Sequence, residues 1–131
     1  MLINIGYAPA LALAEEVLNR KGLDPSDYIV GNMRAVLGSG SHRDEAIPAL
    51  SRLARNDDVL TRRAAVRGLG AMKSRGAVSS LVRALDDPDD DVRWEAVNGL
   101  ADIAGMSHVS KNGMLADEVR MLEYWRNRFR Q

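Results

Sequence analysis

Asp86-Asp87-Pro88-Asp89-Asp90-Asp91-Val92-Arg93-Trp94-Glu95-Ala96-Val97-Asn98-Gly99-Leu100 contains a helix stop, a helix start and the beginning of an apolar stripe. Pro88 disfavours helical backbone in the residue before it, so a helix arriving from upstream ends here. Asp89, Asp90 or Asp91 can cap the next helix, where negative charge suits the positive end of the helix dipole. Val92, Ala96, Leu100 and Ile103 then recur at helical spacing and form one apolar face. Val78, Leu81, Val82 and Leu85 do the same for the helix before the turn. The unit is therefore helix, acidic turn, helix.

That unit occurs twice. Residues 43–73 lie over residues 74–104 at an offset of 31 without a gap. Ala46, Leu50, Arg52, Asp58, Arg62, Ala65, Val66, Gly68 and Leu69 then meet Ala77, Leu81, Arg83, Asp89, Arg93, Ala96, Val97, Gly99 and Leu100. Unrelated segments of this length would share roughly two residues, and a period of ~20–50 residues marks a stacked-repeat architecture. Small residues at Ala65 and Gly68, and at Ala96 and Gly99, suit close approach between neighbouring helices. Arrays of this kind present a surface more often than they perform chemistry.

The flanks read as diverged versions of the same design. A helix over Ala10–Asn19 carries the stripe Leu11, Ala14, Val17 and Leu18, and Gly22 ends it. Asp24-Pro25-Ser26-Asp27 opens a second helix running to about Leu37. Ala35, Val36 and Gly38 match Ala65, Val66 and Gly68 at an offset of 30, making residues 1–40 a diverged first unit. Gly38-Ser39-Gly40-Ser41 is a connector, since no Gly-Lys-Ser/Thr follows to make it a phosphate loop. Residues 106–131 break the period. Leu115, Val119, Leu122 and Phe129 fall on one face of a single capping helix, with Met121 and Trp125 flanking it.

Composition narrows the function classes. The 131 residues fit one domain, and 18 basic and 18 acidic side chains cancel. No global field draws such a chain to nucleic acid or to an anionic membrane. The absence of cysteine excludes disulfides, thiolate metal sites and a cysteine nucleophile. The apolar run Ala8–Ala14 has no Lys or Arg before it and is followed by Glu15-Glu16, which does not suit a secretory signal. A cytoplasmic protein is expected.

The repeats resemble the HEAT-like repeats named after the phycobilisome lyases. That family's unit is a helical hairpin with an Asp- and Pro-rich turn, then Val-Arg, two small residues, and Leu-Gly before an aliphatic. Asp87-Pro88-Asp89, Val92-Arg93, Ala96-Val97 and Leu100 through Ile103 are similar to it, with Ala101 where Gly is usual. Asp57-Asp58, Arg62, Ala64-Ala65, Leu69-Gly70 and Met72 match it in the other copy, with Thr61 where Val is usual. The resemblance implies an all-α fold: a short right-handed α–α superhelix of about three helical hairpins with a C-terminal cap. It also implies that Arg62 and Arg93 form a structural ladder with turn aspartates such as Asp58 and Asp89. Second helices line the concave surface in such stacks, so Arg63, Arg67, Trp94 and Asn98 would form one partner-binding patch there. Glu95 and Asp102 would bound it. Trp and Arg are among the residue types most enriched at binding hot spots.

No catalytic or metal-binding constellation emerges. The two histidines, His42 and His108, each follow a serine, and adjacency in sequence is not a nucleophile–base geometry. The aspartates at 86–91 lack the spacing, glycine and distal glutamate of a calcium loop, so they read as a turn and a cap. The expectation is a non-catalytic interaction module without cofactor, binding a protein partner as an adaptor, scaffold or inhibitor. A bacterial adaptor, an antitoxin-like immunity protein and an assembly factor for a pigment protein all fit. The alternatives are a nucleic-acid-binding HEAT-like protein, through Arg63, Arg67 and the Arg126–Arg130 region, or a chromophore-lyase-like factor. Leu2, Ile3, Ile5 and Tyr7 would cover the first end of the stack or join a weak homodimer.

Overall fold

The computed structural model describes residues 8–19, 28–38 and 44–130. Among the described residues the chain is all-α. Its helices are α1 (Ala8–Leu18), α2 (Tyr28–Leu37), α3 (Ile47–Leu53), α4 (Val59–Ala71), α5 (Val78–Ala84), α6 (Asp90–Ala104), α7 (Lys111–Ala116) and α8 (Glu118–Arg128). A 3-10 turn leads into α3 at Asp44–Ala46 and into α5 at Arg75–Ala77, so the two repeats share even their entry. The expected helix stop and start at Gly22 and Asp24–Asp27, the connector residues 39–41, His42 and the apolar residues before Ala8 lie outside the described residues.

Each acidic turn is built the same way. Asp58 caps α4 by accepting from the Thr61 amide, and Asp89 caps α6 by accepting from the Val92 amide. Two residues earlier, the Asn56 and Asp87 side chains accept from the Asp58 and Asp89 amides. These bonds satisfy amides that a helix start otherwise leaves unpaired. Of the three candidate caps, Asp89 holds the position, while Asp90 and Asp91 occupy the first turn.

The apolar stripes meet in one core that runs from Leu11, Ala14 and Leu18 on α1 through the repeats to Leu122 and Trp125 on α8. A single hairpin cannot bury its apolar face alone, and stacking makes the core continuous. Packing is tightest between α4 and α6. A Cβ on either Gly70 or Gly99 would lie 2.8 Å from the other's Cα, so only glycine fits this crossing. The expected close approach does involve Gly99, but against Gly70 rather than its repeat equivalent Gly68. Stacked helices are offset along their axes, so the meeting residues are not the repeat-equivalent ones. The first helices α3 and α5 leave a cleft of about 400 Å³ between their hairpins, bridged by a Ser51–Ser80 hydroxyl contact of 2.6 Å.

Two expectations are corrected. Ala35 is exposed whereas Ala65 is buried, so the offset of 30 is not the structural register of the first hairpin; Met33 and Leu37 supply the buried face of α2. The C-terminal cap is two helices, α7 and α8, separated at Asp117, whose φ of −145° lies outside the helical range. That break resets the helical phase. Leu115 is consequently exposed and Val119 is 79% exposed, while Met114, Leu122 and Trp125 enter the core.

Candidate functional site

Arginines carried by the second helices join successive hairpins, in two ladders rather than one. In the first, Arg62 donates to the Asp87 carboxylate at 2.9 Å and to the Asn56 and Asp57 carbonyls. Arg93, its repeat equivalent, donates to the Asp87 carbonyl and to Glu118. Each arginine thus holds its own turn and reaches the next one, and Glu118 does for the cap what Asp87 does within the repeats. The second ladder runs through the capping aspartates. Arg34 on α2 donates to Asp58 at 2.7 Å, and Arg63 on α4 makes a bidentate pair with Asp89, with 2.9 Å for both bonds. Asp58 and Asp89 therefore belong to a ladder with Arg34 and Arg63, not with Arg62 and Arg93 as the sequence suggests. Helix twist decides this, because adjacent arginines on one helix point to different rows.

The electrostatics follow from these contacts. The bidentate Arg63 hydrogen bonds hold the Asp89 carboxyl at about 2, well below its usual value, against some opposition from burial and with help from the Val92 amide. Arg63 is correspondingly raised, chiefly by those bonds to Asp89. Burial works against ionisation of Asp58, yet the Thr61 and Arg34 bonds outweigh it and its carboxyl is also lowered.

The four residues expected on the concave face do come from α4 and α6, but they differ in accessibility. Arg67 is the most open, with its side chain 63% exposed, and it shares a single oxygen of Glu95 through Nε and Nη2. Arg63 is partly exposed and engages Asp89 and Asp91. Trp94 donates from its indole nitrogen to the Val109 carbonyl. Asn98 is only 8% exposed, donating to the same carbonyl and accepting from the Val109 amide. Trp94 and Asn98 thus hold the segment between α6 and α7 back along the side of α6. Gly105, in left-handed backbone at φ 72°, turns the chain into that segment.

Two adjoining clefts flank Arg67. One, of about 420 Å³, lies between α2 and α4 and is lined by Arg34, Gly38, Leu60, Arg63 and Arg67 among others. The other, of about 120 Å³, lies between α4 and α6, where Arg67, Glu95, Asn98, Asp102 and His108 meet. Leu60 is an exposed aliphatic on this face, outside the residues expected there from sequence. Its signal was legible: Leu60, Arg63 and Arg67 recur at spacings of three and four, off the buried stripe.

His108 pairs with Asp102 at 2.7 Å. Asp89, Asp90 and Asp91 are the one acidic cluster among the described residues, and Arg63 and Lys111 already answer their charge. No helix among the described residues is long and apolar enough to cross a membrane.

A stack of helical hairpins tied by arginine–aspartate ladders defines a helical repeat protein. A family model described as HEAT repeats matches residues 8–103, and the chain belongs to that family. No curated protein and no solved structure matches it. HEAT repeats are generally protein-interaction modules.

Proposed function

We propose that the chain is a non-catalytic adaptor, scaffold or inhibitor that holds a protein partner against the face formed by α2, α4 and α6. The observation that carries this reading is the pair of clefts meeting at Arg67, one of them edged by the exposed Leu60. An apolar side chain of the partner would sit against Leu60, and an acceptor would take the Arg67 donors that Glu95 leaves open. Arg63 would border the contact, while Trp94 and Asn98 would shape its rim by fixing Val109. A protein suits this face better than nucleic acid because Arg34, Arg63 and Arg67 each already face a carboxylate. A phosphate backbone would meet those carboxylates as well as the arginines.

The test is a pull-down from lysate of the source cells, comparing wild type with a Leu60→Ala/Arg67→Glu double variant of matched thermal stability. One protein held by the wild type and lost by the double variant supports the reading. A partner held equally by both places the contact elsewhere on the molecule. Recovery of nucleic acid that is released by moderate salt would replace the protein reading with the electrostatic one.

A further inference from the structure

We propose that the cleft between the α3 and α5 hairpins, on the layer opposite the second helices, binds a small ligand through a phosphate or carboxylate group. The repeat supplies its own control. Arg52 and Arg83 are equivalent residues, one period apart. Arg52 makes a bidentate pair with Glu15 of α1, at 2.6 and 2.9 Å. Arg83 stands one step further along the stack, and among the described residues no carboxylate answers it. It lines instead the open cleft of about 400 Å³, together with Arg55 and the touching hydroxyls of Ser51 and Ser80.

Charge around the cleft favours an anion. Asp87 is paired with Arg62 and Asp86 with Arg126. That leaves Asp57 alone against two guanidiniums, Arg55 and Arg83, that no hydrogen bond or ion pair engages among the described residues. Guanidinium forks match the geometry of oxyanions and bind them bidentately. Serine hydroxyls rotate freely enough to donate to an incoming oxygen. The volume falls within the ~300–1,000 Å³ typical of small-molecule sites. A ligand anion would therefore occupy, between the second and third hairpins, the place that Glu15 takes between the first and second.

The test is a titration followed by backbone amide NMR, using inorganic phosphate and glutarate as separate probes at constant ionic strength. Saturable shifts at Ser51, Ser80 and Arg83 are expected with at least one probe, and the probe that saturates identifies the anion. Arg83→Gln should weaken binding tenfold or more, whereas Arg75→Gln, another exposed arginine outside the cleft lining, should leave it unchanged. Ser51→Glu provides the missing carboxylate in place. It should abolish binding while keeping or raising the melting temperature, which separates a filled site from a damaged fold. Shifts that never saturate and spread equally over Arg75, Arg128 and Arg130 would overturn the proposal. Saturable binding that survives both cleft substitutions would overturn it as well.

Discussion

Asp89 caps α6, accepts the Arg63 fork and receives support from Asp87 through its own backbone amide. Its replacement should therefore cost more than an ordinary cap. We expect Asp89→Ala to lose ~2–3 kcal/mol in urea unfolding, combining the cap with a charge-assisted pair. Asp89→Asn should recover part of that, since it keeps a capping oxygen. The pH dependence has a definite sign. The folded carboxyl titrates at about 2 against an ordinary value of 3.8, so its contribution is fully present above that ordinary value. It is lost as pH falls from about 4 toward 2, and amounts to ~1 kcal/mol once solvent screening is allowed for. Melting temperatures measured down this range should fall less steeply for Asp89→Asn than for wild type. That one of Asp89, Asp90 and Asp91 caps α6 is legible in sequence, because a Pro-Asp turn before an apolar stripe has few other readings, and the structure assigns the role to Asp89. Its arginine partner is not legible there, since the period shows that Arg62 and Arg63 recur or vary without showing which row each one faces.

Phase is what matters among the elements. A single helix over residues 106–131 would set Leu115 and Val119 on the core stripe, yet the break at Asp117 rotates α8 relative to α7. Trp125 is buried to 4% exposure and stacks near Phe129, with ring centroids 6.1 Å apart. Trp125→Ala should cost ~3–5 kcal/mol by chemical denaturation, while Val119→Lys should change stability by no more than ~0.5 kcal/mol. The reverse ranking would restore the single-helix reading. Between α4 and α6, Gly70→Ala and Gly99→Ala each place a methyl group against backbone, which cannot swing aside. Although alanine favours helix, each substitution should destabilise by ~1–3 kcal/mol in thermal melts, because overpacking outweighs propensity here. Such a crossing leaves little trace in sequence: glycines at 68, 70 and 99 look alike until the helices are laid side by side.

Across the whole molecule, the first ladder extends the stack beyond the recognisable repeats. Arg93 grips Glu118 as Arg62 grips Asp87, so the cap is bound by the same device as the hairpins it covers. In a stack each unit contacts only its neighbours, and the loss of one link is felt locally first. Arg93→Ala should therefore accelerate amide hydrogen exchange throughout α8, by tenfold or more, with much smaller effects in α4. Uniform acceleration across the chain would mean that the molecule opens as a single unit. The period, the acidic turns and the helical stripes determined from sequence alone that this chain is an all-α stack of helical repeats, since those signals are local and recur. Tertiary structure alone decided which arginine meets which aspartate, that Asn98 turns inward to hold Val109, and that Arg83 faces an open cleft where Arg52 faces Glu15. Those outcomes depend on the twist and axial offset between neighbouring helices, distances that no single segment encodes.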